Sequence, residues 1–170
     1  MMSALQPKKI IGLDISEGML AVGKEKISKA KLNDKIEMIV GDSENMPFED
    51  NTFDCVSIAF GLRNVTDKDA ALKQMHRVLK KGGTLLILEF SKVENQMLEK
   101  AYDFYSFNLI PKFGEYFAND EDSYQYLAES IRKHPDQETL KAMVLDAGFE
   151  FCEFHNLTGG IVALHKAVKT

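Results

Sequence analysis

No glycine occurs among the first eight residues of this chain, Met1 to Lys8, and that gap governs how its opening is read. Other absences narrow the field. There are only two cysteines, Cys55 and Cys152, both inside apolar strand-like runs. They predict two buried free thiols in a reducing compartment, not a disulfide framework. The sequence has no secretory leader pattern and no run of about 18 apolar residues, which predicts a cytoplasmic protein without a membrane span. Weak attachment to a membrane surface is compatible with that. Basic excess is lacking too: 21 Lys and Arg stand against 26 Asp and Glu, a net charge of −5, so the footprint of a nucleic-acid binder is missing. No His/Cys/Asp/Glu cluster has metal-ligand spacing, so no metal is expected, and no nucleophile elbow occurs. No linker, repeat or low-complexity tract divides the chain. Its 170 residues suit one domain, 1–170, with room for a core.

What is present is an alternation of strands and helices. Ile10 to Ile15 is a near-continuous apolar run, the mark of a strand covered on both faces. It carries Asp14 near its end, and Ser16 follows as a helix cap. Met19, Leu20, Gly23 and Ile27 then recur at helical spacing. Ile36 to Val40 is a second strand, stopped by Gly41-Asp42-Ser43. Phe53 to Phe60 is a third, ended by Gly61. Thr66 and Asp69 resemble a capping box before a helix striped by Leu72, Met75, Val78 and Leu79. Lys80-Lys81-Gly82-Gly83 reads as the end of that helix, with cations at its negative pole and glycine to turn the chain. Thr84 to Phe90 is a fourth strand, almost wholly apolar. From Val93 to Ser130 no strand pattern appears and aromatics are frequent. Pro135 and Asp136 open a helix with Leu140, Met143, Val144 and Ala147 on one face, closed by Gly148. Phe149 to Phe154 and Ile161 to Val168 are the last strands. Gly159-Gly160 lies just before the second of them, which points to an antiparallel end of the sheet. The fold class expected is α/β, with a doubly wound, mostly parallel sheet.

The candidate site residues gather at the carboxyl ends of these strands, where open α/β sheets bind ligands. Asp14 is placed to accept hydrogen bonds from two ribose hydroxyls, as in nucleotide-binding folds. The plain alternative is a loop aspartate or a charge at a helix N-terminus. The same device serves NAD enzymes, so Asp14 does not select the cofactor. Asp42 and Ser43 are placed to meet an adenine amino group, with Met46 as an apolar face. Gly-Asp-Ser is also a favoured turn. In Phe60-Gly61-Leu62-Arg63-Asn64, Arg63 offers a fixed fork of donors for a phenolate or another oxygen. Asn64 is suited to a substrate hydroxyl. The plain alternative is a salt-bridged arginine and a turn asparagine. Phe104, Tyr105 and Phe107 belong to an aromatic segment suited either to covering the sheet or to lining a pocket for a long apolar tail. His134, before Pro135, is an acid/base candidate. His76, His155 and His165 read as structural or surface residues.

These residues sit inside longer blocks that resemble a known family. FGLRNVTDKDAAL, EFSKVENQMLEKAYDFYSF, ANDEDSYQYLAESIRKHPDQETLKAM and NLTGGIVALHKA are similar to the ubiquinone/menaquinone biosynthesis C-methyltransferases. The likeness runs from about Ile10 to Lys166. It implies the Rossmann-like fold of class I S-adenosylmethionine-dependent methyltransferases and, as cofactor, S-adenosyl-L-methionine. The substrate implied is a polyprenylated quinol, methylated on a ring carbon. By the same likeness Asp14 is the ribose-binding acid, Asp42 and Ser43 lie beside adenine, and Ala59 stands where some relatives contact the cofactor through a serine. Arg63 and Asn64 then face the substrate ring, Arg63 stabilising a phenolate and Asn64 orienting it. Phe104, Tyr105, Phe107 and His134 belong to a substrate-covering helical insert at about 93–134. The proton acceptor is left open among water, His134 and Tyr105. FGLRN occupies the place where nucleic-acid base methylases carry an Asn/Asp-Pro-Pro-aromatic motif. A homodimer and a position peripheral to the inner membrane are further expectations.

One departure from the family is expected at the start of the chain. The family's first strand and its glycine-rich loop have no counterpart, although that strand lies between those ending at Asp14 and Phe60. Each orphaned backbone group in such a gap costs roughly 1–3 kcal/mol, against a stability of about 5–15 kcal/mol. The alternatives are that the flanking strands re-pair, that another chain fills the slot, or that the polypeptide is unstable alone. On that view it is a catalytically incomplete fragment, at most a folded scaffold or partner.

Overall fold

The computed structural model describes residues 7–93 and 121–170. They belong to two compact units, Met1–Phe48 and Glu49–Thr170.

In the first unit, strand β1 (Ile10–Asp14) pairs in parallel with β2 (Ile36–Val40), in register from Ile10 opposite Ile36 to Asp14 opposite Val40. Helix α1 (Glu17–Lys29) makes the crossover. Ser16 caps it as expected, its Oγ accepting from the Met19 amide at 3.3 Å. Glu17 in the first turn and Lys26 and Lys29 in the last complement the helix dipole. Leu20 is fully buried and Gly23 and Ile27 half-buried, but Met19, one residue round the helix, points outward at 63% exposure. The inner stripe is therefore narrower than the apolar pattern suggests. Helix and strand approach closely around Met38. A Cβ on Gly12 or Gly23 would meet the end of the Met38 side chain, which would have to move aside.

The second unit carries a four-stranded sheet in the order β3-β4-β6-β5, formed by Phe53–Ala59, Leu79–Phe90, Val162–Val168 and Phe151–Leu157. Strand β3 runs parallel to β4, and β6 runs antiparallel to both β4 and β5. This is the antiparallel close expected from the C-terminal pattern. Helices α2 (Lys68–Val78), α3 (Glu121–Lys133) and α4 (Gln137–Asp146) accompany the sheet. The core joins Leu72, Met75 and Val78 of α2, Leu79, Leu85 and Ile87 of β4, and Leu140 and Val144 of α4. In α4 the expected face holds, with Met143 only half-buried, and Asp136 caps the helix by accepting from the Thr139 amide at 2.9 Å. Strand β5 begins two residues later than expected and continues to Leu157. Phe149 turns inward instead, edge-on to His76 with ring centroids 4.9 Å apart.

Two boundaries of α2 differ from expectation. Its N-cap is Asp67, whose Oδ1 accepts from the Ala70 amide at 2.9 Å, so the cap lies one residue beyond Thr66. Its end is at Val78, not at the lysine-glycine run. Leu79 already pairs with Phe53, and the next pair is Cys55 with Thr84, so Lys80-Lys81-Gly82-Gly83 bulges within the strand. The last helical carbonyls are satisfied from elsewhere. The Asn51 and Thr52 amides bond the Arg77 and Val78 carbonyls at 3.0 and 2.8 Å. The Lys169 ammonium donates to the carbonyls of Leu79, His76 and Arg77 at 2.7, 2.9 and 3.4 Å. With those groups covered, the chain passes into β4 without a glycine cap.

Among the described residues, β1 is paired on one side only, by β2, and β3 on one side only, by β4. Each is an edge of its own sheet. Cys55 and Cys152 are free, half-buried and buried respectively, and burial pushes the Cys152 thiol up to about 11. No described helix is long and apolar enough to cross a membrane.

Candidate active site

In the first unit the parallel pairing of β1 and β2 delivers two carboxylates to one end of the sheet. The Gly41 amide donates to the Asp14 carbonyl at 3.0 Å, so the chain leaving β2 runs beside the end of β1. Each aspartate closes a turn on itself. Asp14 Oδ1 accepts from the Ser16 amide at 2.8 Å, and Asp42 Oδ1 accepts from the Glu44 amide at 2.8 Å. These bonds fix the carboxylates and leave Oδ2 of each without a partner among the described residues. Ser43 is half-buried beside Asp42, and Met46 is 8% exposed. The structure thus brings together Asp14, Asp42 and Ser43. Paired carboxylate oxygens of this kind suit hydroxyl and amino donors, such as those of a nucleoside.

In the second unit the site is built where β3 ends. Ala59 is exposed. Phe60 follows at φ 54°, a left-handed conformation rare for an aromatic residue, and its amide donates to the Leu88 carbonyl at 2.9 Å. The Leu62–Asn64 turn is anchored by fully buried Leu62. Arg63 is held from several directions. Its Nη1 donates to Glu89 Oε1 at 2.9 Å and to the Phe60 carbonyl, and its amide donates to Glu89 Oε2 at 3.2 Å. The guanidinium lies over the Phe90 ring at 5.4 Å. Glu89, only 1% exposed, also accepts from the Phe90 amide at 2.9 Å. A buried carboxylate demands such company. Arg63 is therefore a salt-bridged arginine. The bonds to Glu89 and to the Phe60 carbonyl together fill Nη1, while Nε is buried without a partner among the described residues.

Asn64 is exposed and accepts from the Tyr126 hydroxyl at 3.3 Å. His134, at the end of α3, is 9% exposed, and neither ring nitrogen has a hydrogen-bond partner among the described residues. Burial, reinforced by the charges of Lys68, His165 and Arg63, pushes its pKa down to about 4. At neutral pH it is an uncharged ring with an open donor and an open acceptor. His165, 2% exposed, meets the Gln137 carbonyl through Nε2 at 2.9 Å. A carbonyl only accepts, so Nε2 carries the proton and buried Nδ1 is an acceptor without a partner among the described residues.

The second unit thus gathers Ala59, Arg63, Asn64 and His134. Phe104, Tyr105 and Phe107 lie outside the described residues, as does most of the expected insert at about 93–134. Among the described residues no three His, Cys, Asp or Glu side chains form a group fit for a metal ion. Glu89 and Tyr126 are absent from the sequence-derived set. Glu89 carries a readable signal, because it follows Leu85 and Ile87 at the inward positions of β4, where a lone acid needs a reason.

The model of the ubiE/COQ5 methyltransferase family matches residues 2–169. The chain belongs to that family. The ubiquinone/menaquinone biosynthesis C-methyltransferase UbiE of Pseudoalteromonas translucida is 60% identical over 156 residues, 92% of this chain and 62% of that protein. The UbiE of Escherichia coli is 57% identical over 161 residues, 95% of this chain and 64% of that protein. The chain therefore spans somewhat less than two thirds of the curated relatives it matches. Among solved structures, a SAM-dependent methyltransferase of Thermotoga maritima aligns with TM-score 0.67 and 20% identity, covering 98% of this chain and 75% of that one. Phosphoethanolamine N-methyltransferase 2 of Haemonchus contortus, solved with S-adenosyl-L-methionine, aligns with TM-score 0.68 and 18% identity, covering 95% and 43%. At these identities the structures establish the fold, the Rossmann-like class I methyltransferase architecture.

Proposed function

We propose that this protein catalyses S-adenosylmethionine-dependent C-methylation of a polyprenylated quinol in menaquinone or ubiquinone biosynthesis, with residues 1–170 belonging to one methyltransferase domain. The observation that carries the reading is the 57–60% identity to proteins named for that activity. The geometry supports it at two places. The Oδ2 atoms of Asp14 and Asp42, without partners among the described residues, and Ser43 beside Asp42 fit the ribose and adenine of the cofactor, and Ala59 adds no side-chain hydrogen bond. When bound, the cofactor supplies the methyl group and its electrophilic character.

The chain's own residues prepare the other reactant. A ring hydroxyl donates to the open acceptor nitrogen of neutral His134. Arg63 and Lys68 supply positive charge that favours the ring phenolate over the hydroxyl. With Nη1 committed to Glu89 and the Phe60 carbonyl, the rest of the guanidinium serves the ring oxygen, and Asn64 fixes the ring's orientation. Loss of the hydroxyl proton to solvent enriches the adjacent ring carbon; as that carbon takes the methyl group it releases its own proton to solvent, and alignment provides much of the rate. The protein works in the cytoplasm, peripheral to the inner membrane in which prenyl tails reside.

The test is titration of S-adenosylmethionine by calorimetry, with NAD as control, followed by methyl transfer to demethylmenaquinol. Micromolar binding that falls at least about tenfold in Asp14→Ala is expected from loss of a charged hydrogen-bond acceptor. Binding of NAD instead, or no transfer by protein that binds the cofactor, would overturn the reading.

A further inference from the structure

Glu89 occupies a position that packing alone would not choose. Leu85, Ile87 and Glu89 share the inward face of β4, and the first two are 0% and 1% exposed. Glu89 is as buried as they are, yet carries a carboxylate. Burying an ion is costly, and an apolar residue of similar volume in its place is often neutral or stabilising. Its three bonds all reach the Arg63 turn or its own strand: Arg63 Nη1 at 2.9 Å, the Arg63 amide at 3.2 Å and the Phe90 amide at 2.9 Å. The carboxylate thus grips both the backbone and the head of Arg63. It also cancels the guanidinium charge, and the Phe90 ring lies against the same guanidinium.

We propose that Glu89 is a positioning residue for methyl transfer, acting through Arg63: it sets the direction of the guanidinium and tempers its charge. The inference rests on the reading above, in which Arg63 meets the ring oxygen. Held by one nitrogen, Arg63 presents the remainder of its fork in one direction. Tempered by Glu89, it donates to the ring oxygen without the full pull of an unpaired cation. An unpaired cation would over-stabilise the phenolate and blunt the adjacent carbon.

The test is a double-mutant cycle in kcat with Glu89→Gln, Arg63→Gln and the double variant. Glutamine keeps the shape of Glu89 and removes its charge. Misplacement of a reacting contact by about 1 Å costs about a hundredfold, so each single variant is expected to lose about that in kcat, with KM for the cofactor unchanged. If Glu89 acts through Arg63, the double variant is no more than about threefold below Arg63→Gln. Losses that multiply to about ten-thousandfold would overturn the proposal. So would a loss confined to KM for the cofactor. If Glu89→Gln does not fold, Glu89→Asp, which keeps the charge and withdraws it by one methylene, carries the same comparison.

The hold is also read without turnover. The Nε–H resonance of Arg63 in nitrogen-15-labelled protein is expected to shift and broaden in Glu89→Gln, and an unmoved resonance would overturn the proposal. A wild-type protein that transfers no methyl group to a quinol sinks the functional reading, and the positioning role with it. In that case the resonance still reports separately whether Glu89 holds Arg63.

Discussion

His134 is the residue whose replacement tells most about this molecule. It is buried with both ring nitrogens unpartnered among the described residues, and it faces Lys68 from the start of α2, Arg63 from the preceding turn and His165 from β6. His134→Leu removes a buried, unsatisfied polar ring at modest change in volume. At about pH 7 this is expected to stabilise the fold by about 1–3 kcal/mol, the usual cost of a buried polar group left unpaired. The advantage should grow in acid. Unfolded, the imidazole takes its proton near 6.5; folded, it does so only at about 4. Between those values the unfolded chain binds more protons, so wild-type stability falls with falling pH and levels off below about 4. The span amounts to about 3 kcal/mol. His76 and His165 are lowered in the same sense, mainly by burial, but both proteins share them and they cancel in the difference. The Asp136 carboxyl, held low by Thr139, is also common to both and titrates in a more acid window. Urea unfolding of the two proteins at about pH 7 and about pH 4 measures the change. A stability difference constant to within about 1 kcal/mol would refute the reasoning. On the proposed function the same variant loses methyl transfer, so a more stable protein would be a poorer enzyme.

The other expectations concern structure. Lys169→Met removes the cation that donates to three carbonyls at the end of α2 and to Asn51 Oδ1 at 3.0 Å. It should cost about 2 kcal/mol in urea unfolding, and a loss below about 0.5 kcal/mol would mean that water replaces it. Gly82→Ala meets no atom within 4 Å but must hold φ +76°, so a cost of about 1 kcal/mol from backbone strain alone is expected in a melting experiment. Hydrogen exchange should be slowest in β4 and β6, each of which is paired on both sides. The amides of β1 and β2 should exchange well before them, because a two-stranded sheet with few buried side chains is marginal. Equal protection in the two sheets would contradict that ranking.

Much of this was legible because the relevant signals are local. Apolar runs closed by Asp14 and Gly41 mark strands whatever lies elsewhere, and Ser16 and Asp136 cap helices through bonds to amides three residues on. The end of α2 was not legible, for a reason of distance. A helix followed by Lys-Lys-Gly-Gly has the pattern of a glycine cap. The carbonyls are instead taken by Asn51, Thr52 and Lys169, and Lys169 lies some ninety residues down the chain. Only the pairing of β4 with β6 brings it there, so no window around the helix contains the information.

Glu89 stands between these cases. Its partner is 26 residues away, but its anomaly is local: one carboxylate at the inward phase of an apolar strand. Period-two alternation says where that side chain must point, and the cost of burying a charge says it must find a cation. Arg63 closes the preceding parallel strand at the same end of the sheet. An acid on the inner face of one strand and an arginine just beyond the end of its neighbour are thus a pair that register alone can propose. The more apolar the strand around such an acid, the stronger the inference that the acid is kept for what it holds.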